Sequence, residues 1–129
     1  MIGLSSSSGE HWIAWNILSP VETEYFDSYG QAWEDYPHLV LPTTRLVEEN
    51  CMQLQSDVSY LCGQYCLLFI YQRSRGVSYE DFLKDFNSDP SYNDWVVSTF
   101  VKKLLTFRPY HNYVKHGDRL IGCKRKCES

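Results

Sequence analysis

The segment from Cys62 to Gly76 places the strongest constraint on the fold. It opens with a long apolar run, Cys-Gly-Gln-Tyr-Cys-Leu-Leu-Phe-Ile-Tyr, and carries two arginines just before its final glycine. Glycine often follows the last helical residue, and cations are favourable in the last turn of a helix. We therefore predict a largely buried helix that ends before Gly76, with Ser59 or Asp57 as its N-cap.

Cys62 would occupy the first turn of this helix. Backbone N–H groups without helical partners and the positive end of the helix dipole stabilise a thiolate at that position. Gly63 adds no side chain that would crowd an approaching substrate. The alternative is that Cys62 is an ordinary core residue, since free cysteines are among the most buried residue types. The other segments of the chain decide between these two interpretations.

Composition indicates one folded domain. The chain has 129 residues, of which 43% are hydrophobic and 16% aromatic, and a net charge of −4. No apolar run approaches the roughly 18 residues that suggest a membrane helix, and the N-terminus lacks the basic and apolar regions of a signal peptide. Five cysteines, an odd number, favour free thiols in a reducing compartment. We predict an intracellular monomer, in the cytoplasm or nucleus, with no cofactor.

The remaining segments predict a small sheet and further helices. Residues 11–17 and 23–29 are rich in aromatic and β-branched side chains, with a Ser-Pro turn between them, which predicts an antiparallel hairpin. Residues 51–55 are a candidate third strand. Ser78 and Asp94 are candidate N-caps of two later helices. We predict an α+β fold, in which a small mixed or antiparallel sheet packs against the central helix and further helices follow.

Four residues on these elements form a candidate catalytic set. His11 begins one strand and Asp27 lies near the end of the next, and adjacent strands lie about 4.8 Å apart. Asp27 could bind one ring nitrogen of His11 and leave the other for Cys62. Gln55 could place its side-chain NH₂ beside the backbone N–H groups of Cys62 and Gly63, as an oxyanion hole. Individually, the histidine could be an ordinary edge-strand residue, the aspartate a turn cap and the glutamine a solvated loop residue.

The motifs around these residues resemble a known family. They are Gly9-Glu-His11-Trp12, Tyr25-Phe-Asp27-Ser-Tyr-Gly30, and Gln55 followed by Cys62-Gly-Gln-Tyr-Cys66. Together they resemble the adenain-type cysteine proteases, which belong to the same clan as the ubiquitin-like-protein-specific proteases. The likeness is strongest to adenovirus-like proteases of large DNA transposons and related viruses, and it covers roughly residues 9–107.

The resemblance implies a thiol endopeptidase of α+β fold that uses a Cys-His-Asp triad. The roles that it implies are His11 as base, Asp27 as its orienting group, Cys62 as nucleophile, Gln55 as oxyanion donor, Trp12 as a wall of the site and the Gly63 N–H as a second oxyanion donor. The implied substrates are viral or transposon precursor proteins cut near small residues, or ubiquitin-like tails. The implied partner is therefore a protein substrate.

Two features depart from the family. Its members usually have substantial sequence before the His-Trp strand, whereas ten residues precede His11 here. We therefore predict a protease-like domain at residues 9–108 that lacks the usual N-terminal part, between a flexible lead-in at 1–8 and a tail at 109–129. The second is Asp27, where adenoviral members often have glutamate and the ubiquitin-like-protein-processing branch has aspartate. An inactive remnant that binds proteins is the alternative function.

The C-terminal segment supports a third hypothesis, a nucleic-acid-binding accessory protein. From Lys102 onward, eight basic residues accompany only two acidic ones, which favours contact with DNA or another polyanion. The tail also contains ligand types suited to zinc, at His111, His116, Cys123 and Cys127. Their spacing is unlike that of the common zinc fingers, so we predict no metal site.

Overall fold

The computed structural model describes residues 4–6 and 9–105 of the chain, with side chains from residue 11 onward. It contains five strands: β1 (Leu4–Ser6), β2 (Gly9–His11), β3 (Ile13–Ile17), β4 (Glu22–Asp27) and β5 (Arg45–Glu49). Three helices follow: α1 (Cys62–Ser74), α2 (Tyr79–Leu83) and α3 (Pro90–Leu105). A single 3₁₀ turn spans Trp33–Asp35. The predicted α+β class is confirmed, with a three-stranded mixed sheet and three helices. None of the helices in this described part is both long and apolar enough to cross a membrane.

The three-stranded sheet has the order β3-β4-β5. Strands β3 and β4 form the predicted antiparallel hairpin, in which Ile13 lies opposite Asp27. Strand β5 adds to the other side of β4 in parallel orientation. The predicted third strand at 51–55 is wrong, because the backbone there makes a different contact. The N–H groups of Leu54 and Gln55 both donate to the carbonyl of Ser28, at 2.8 and 3.0 Å.

Strands β1 and β2 form a separate antiparallel pair in which Leu4 lies opposite His11. The residues of β1 fall within the lead-in for which the sequence predicted flexibility, so part of that lead-in is strand. Since β2 ends at His11 and β3 begins at Ile13, Trp12 is the link between the two sheets. His11 is thereby held where the two sheets meet.

Both faces of the three-stranded sheet are covered. On one face, Phe26 of β4 stacks on Phe69 of α1, with ring centroids 4.9 Å apart and an interplanar angle of 10°. On the other face, Trp15 and Tyr25 pack with Tyr36, which follows the 3₁₀ turn. Successive side chains of a strand point to opposite faces, so β4 contributes to both clusters. This central strand therefore connects the two halves of the core.

Helix α1 begins at Cys62, which confirms that this cysteine lies in the first turn. Gly76 follows the helix with φ +89°, a conformation that glycine adopts without strain. The predicted N-cap at Ser59 or Asp57 is wrong. Leu61 occupies the N-cap position, and no side chain caps the helix there. The N-terminal turn is therefore left without a competing side-chain acceptor.

The two later helices differ in how well their starts were predicted. Helix α2 has the expected cap, since the Ser78 hydroxyl accepts a hydrogen bond from the N–H of Asp81 at 3.0 Å. Helix α3 begins at Pro90, four residues before the predicted cap at Asp94. Proline suits the first helical position because its missing N–H would have no helical partner. The carboxylate of Asp89 accepts from the N–H of Ser91 at 3.0 Å and caps this helix instead.

A buried ion pair fastens α1 to the sheet. The guanidinium of Arg73 donates from Nε and Nη2 to the two carboxylate oxygens of Glu24, each at 2.8 Å. Its Nη1 donates to the carbonyl of Val77 at 2.8 Å, and Asn16 donates to Glu24 at 2.9 Å. The hydrogen bonds to Glu24 raise the pKa of Arg73 and outweigh the opposing effect of burial. This bidentate geometry fixes the C-terminal part of α1 against β4.

Candidate active site

The structure brings His11 and Asp27 into direct contact. His11 lies at the end of β2 and Asp27 at the end of β4, and both side chains are buried. Nε2 of His11 lies 2.5 Å from Oδ1 of Asp27. The register of the hairpin explains this contact, because Asp27 pairs with Ile13, two residues after the histidine. The expected neighbourhood of the two residues at one end of the sheet is therefore observed.

The carboxylate of Asp27 is surrounded by hydrogen-bond donors. Oδ1 accepts from the N–H of Tyr29 at 2.9 Å, in addition to its contact with His11. Oδ2 accepts from the hydroxyl of Tyr36 at 2.6 Å, the N–H of Gln31 at 3.3 Å and the hydroxyl of Tyr25 at 3.4 Å. Burial and the charge of Asp27 raise the pKa of Tyr25, so its hydroxyl keeps its proton, which it donates chiefly to the carbonyl of Gln31 at 2.8 Å. The contacts of Asp27 thus hold both oxygens of its carboxylate in place.

The second nitrogen of His11 is free to act. Nδ1 is buried and has no hydrogen-bond partner among the residues that the structure describes. The imidazole ring packs against Tyr29, with ring centroids 4.7 Å apart. When Nε2 carries a proton toward Asp27, Nδ1 presents a lone pair. A buried histidine with one nitrogen held by a carboxylate and the other unpartnered is arranged as a general base.

Cys62 lies directly beside this histidine strand. Its Sγ accepts a hydrogen bond from the backbone N–H of Trp12 at 3.3 Å, and Trp12 is the residue after His11. The cysteine is also the first residue of α1, whose start carries no side-chain cap. A backbone donor and the positive end of a helix both favour negative charge on the sulfur. The two local features that activate a nucleophilic cysteine thus meet at Cys62.

Trp12 and Gly63 form a tight contact next to the sulfur. A Cβ atom placed on Gly63 would lie 3.5 Å from the indole ring of Trp12, which is ordinary van der Waals contact. The indole therefore lies over the backbone of the first helical turn. The family resemblance implied that Trp12 is a wall of the site, and the structure places its indole beside the residue that follows Cys62.

Gln55 is close to the site, but both polar groups of its side chain already make hydrogen bonds within the protein. Its Nε2 donates to the carbonyl and to the hydroxyl of Ser59, at 3.1 and 3.0 Å. Its Oε1 accepts from the hydroxyl of Ser28 at 2.6 Å. The orientation of the amide is secure, since the Ser59 carbonyl can only accept. Donation to an oxyanion therefore requires that the contact with Ser59 open first.

Several residues around the site were missed from the sequence. Asn50 binds the backbone of Asp27 at both groups, accepting from its N–H at 3.0 Å and donating to its carbonyl at 2.6 Å. Tyr79 of α2 donates to Asn50 at 3.2 Å and to the carbonyl of Tyr25 at 2.5 Å. Tyr36 is a further such residue, since its hydroxyl donates to Asp27 at 2.6 Å. Nothing local in the sequence signals these contacts, because each joins residues that are far apart in the chain.

Cys66 lies one helical turn beyond Cys62 and has a different environment. It is fully buried, and burial, with a smaller contribution from Cys62, raises the pKa of its thiol well above the usual value. It is therefore a neutral core residue. The predicted polyanion contact of the tail at 109–129, and the zinc ligand types weighed there, lie outside the described residues.

Cys62, His11 and Asp27 come from α1, β2 and β4: His11 contacts Asp27, and the residue after His11 contacts Cys62. Side chains of these three types are suited to act as a nucleophile, a base and its orienting carboxylate. Among the described residues, no group of three or more histidine, cysteine or acidic side chains could hold a metal ion. No protein-family model matches the chain, and neither a curated protein nor a solved structure matches it.

Proposed function

We propose that this protein is a cysteine-type endopeptidase in which Cys62 is the nucleophile and His11 the base. One observation carries the proposal: the buried His11 ring has one nitrogen on Asp27 and the other without a hydrogen-bond partner in the described part of the chain, and the residue after His11 contacts a helix-terminal cysteine. The three side chains come from different elements, so their convergence is a property of the fold. A His–Asp pair with a purely structural role would not require that the second histidine nitrogen remain without a partner.

The proposed reaction is acyl transfer through a thioester. The Cys62 proton passes to Nδ1 of His11, and the sulfur attacks the carbonyl carbon of the scissile peptide bond. His11 then gives this proton to the leaving amine as the C–N bond breaks. Water, with His11 again as base, hydrolyses the thioester and restores the thiol. Asp27 keeps its charge throughout and stabilises the imidazolium.

The oxyanion of the tetrahedral intermediate needs donors near Cys62. The Gly63 N–H belongs to the first turn of α1, whose N–H groups have no partner four residues back in the helix. Gln55 would contribute its Nε2 after separating from Ser59. We infer that the substrate is a precursor protein or ubiquitin-like tail with a small residue before the scissile bond. The position of Trp12 supports this inference, since its bulky indole lies beside Gly63, the residue that follows Cys62.

A protein-binding function without cleavage is the second candidate. The contact of both Gln55 amide hydrogens with Ser59 favours it, since a site with an occupied oxyanion donor binds without turning over. Fluorogenic peptides and protein tails with glycine before the scissile bond separate the two functions. Binding of such a tail without cleavage, under conditions that leave the protein folded, would support the second candidate.

Thiol alkylation tests the proposal without knowledge of the natural substrate. Each cysteine is labelled with iodoacetamide across a pH series, and the rates are resolved by peptide mass mapping. We expect Cys62 to react fastest, and to remain reactive well below about pH 8.5, where ordinary thiols are mostly protonated. His11→Ala should abolish this advantage. A Cys62 that reacts no faster than the exposed Cys51 would overturn the proposal.

A further inference from the structure

The two oxygens of the Asp27 carboxylate have separate environments. Oδ1 faces the His11 ring, whereas Oδ2 faces donors from the segment that follows β4. The shortest hydrogen bond to Oδ2 comes from the hydroxyl of Tyr36, at 2.6 Å. The other two contacts of Oδ2 are 3.3 and 3.4 Å long. Tyr36 therefore makes the closest contact on the side of the carboxylate that points away from the histidine.

Tyr36 also packs against the histidine itself. Its ring stacks near-parallel to the His11 ring, with centroids 6.0 Å apart and an interplanar angle of 29°. The tyrosine is 2% exposed, and its backbone N–H is bound to the carbonyl of Trp33 at 3.1 Å. A single rigid side chain thus contacts both members of the His11–Asp27 pair.

We propose that Tyr36 is a positioning residue, which fixes the Asp27 carboxylate so that the free nitrogen of His11 faces Cys62. This inference rests on the proposed function. Rotation of the carboxylate would turn the imidazole that is hydrogen-bonded to it. A tyrosine hydroxyl prevents this rotation as a neutral donor. A cation in its place would compete with the imidazolium for the carboxylate charge.

The simpler explanation is that Tyr36 is a buried tyrosine whose hydroxyl needs a partner. Both explanations predict that loss of the hydroxyl lowers stability. Only the positioning role predicts that it also changes the reactivity of Cys62, which Tyr36 reaches through Asp27 and His11. The experiment must therefore compare variants that lose equal hydrogen bonds at different places.

Tyr36→Phe removes the hydroxyl and keeps the ring stacked on His11. Tyr65→Phe is the matched control, because Tyr65 is also buried and its hydroxyl bonds a different carboxylate, that of Asp94, at 2.8 Å. We expect Tyr36→Phe to slow Cys62 alkylation near pH 6.5 by about tenfold, the effect of losing a hydrogen bond to a charged group. Tyr65→Phe should leave the alkylation rate unchanged.

A double-mutant cycle with Asp27→Ala tests the route of the effect. If Tyr36 acts through Asp27, its hydroxyl has nothing to position once the side chain of Asp27 is gone, and Tyr36→Phe should add no further loss of rate. If Tyr36→Phe fails to fold, 4-aminophenylalanine at position 36 keeps a donor at that point. The rate for this variant should then lie close to that of the unchanged protein.

Two results would overturn the inference alone: equal Cys62 rates in Tyr36→Phe and Tyr65→Phe, or additive losses in the Asp27→Ala background. In both, Cys62 of the unchanged protein would still react fast and depend on His11. A slow Cys62 in the unchanged protein contradicts the proposed function, and the inference falls with it. The first measurement in the series thus distinguishes the two failures.

Discussion

Strand β4 carries two buried carboxylates, and they are paired with different kinds of side chain. Glu24 and Asp27 lie three residues apart, so they point to opposite faces of the sheet. Glu24 meets Arg73, whose three guanidinium nitrogens are all engaged in hydrogen bonds. Asp27 meets His11, whose Nδ1 has no hydrogen-bond partner in the described residues.

The two carboxylates differ in the chemistry that remains available to the side chain paired with each of them. Arginine does not lose its proton in proteins, and all three of its nitrogens are used, so the Glu24 pair can only fasten α1 to the sheet. Histidine can gain and lose a proton near neutral pH, and the residue that follows His11 bonds the sulfur of Cys62. The Glu24 pair is therefore a fixed connection, and the Asp27 pair is the one that we propose transfers a proton.

The largest expected effect is at the Asp27 end. His11→Ala and Cys62→Ala should each lower turnover by about 10⁴-fold or more, because nucleophile and base act as a unit. Turnover is measured on peptides with glycine before the scissile bond. His38→Ala and Cys51→Ala are the matched controls, since both residues are exposed and should leave activity unchanged. Residual cleavage by Cys62→Ala would disprove the assignment.

The largest expected effect on stability is at the Glu24 end. Arg73→Met leaves a buried carboxylate without its cation and should lower the free energy of unfolding by about 3–5 kcal/mol. Chemical denaturation measures this change. Arg45→Met is the control, because its pair with Glu22 is exposed and should contribute about 1 kcal/mol or less. Equal losses of unfolding free energy in the two variants would contradict the expectation that the Glu24 pair contributes more than the exposed Glu22 pair.

The next largest effect on turnover is expected at Gln55, the proposed oxyanion donor. Gln55→Ala should raise the activation barrier by about 2.7–4 kcal/mol, seen mainly in kcat. Ser59→Ala removes one of the two acceptors that hold the Gln55 amide, so kcat should not fall in this variant. A Gln55→Ala protein with unchanged kcat would exclude the residue from the oxyanion hole.

The smallest expected effect is the loss of stability when one hydrogen bond to Glu24 is removed. Asn16→Ala removes one hydrogen bond to the carboxylate while the contacts of Arg73 remain, which should cost about 1 kcal/mol of stability. Alkylation of Cys62 should not change, since the carboxylate concerned faces away from the site. A slower Cys62 in this variant would mean that the two ends of β4 are coupled.

The sequence predicted the elements that have strong local signals. The apolar run ending at Gly76 predicted α1, the aromatic segments predicted the β3–β4 hairpin, and Ser78 predicted the start of α2. The hairpin alone was enough to place His11 near Asp27. These features depend on residues that are close in the chain, where periodicity and turn chemistry are informative.

The wrong or missing predictions concern elements and contacts that depend on residues far apart in the chain. Strand β5 contains Arg45 and two glutamates, a polar pattern that local propensity does not favour, and it forms by pairing with β4. Asp94 has the chemistry of an N-cap, but its carboxylate accepts from the hydroxyls of Ser56 and Tyr65. Asn50 and Tyr36 reach Asp27 across many residues, which no spacing in the sequence indicates.

The crossing of two loops near the site has a consequence for motion. The Ser28 carbonyl receives the N–H groups of Leu54 and Gln55, and a Cβ on Gly30 would come within 2.6 Å of the Met52 backbone. The turn after Asp27 and the segment before α1 are therefore interlocked, and neither can open alone. A local opening of either segment would therefore disturb the surroundings of both Asp27 and Gln55.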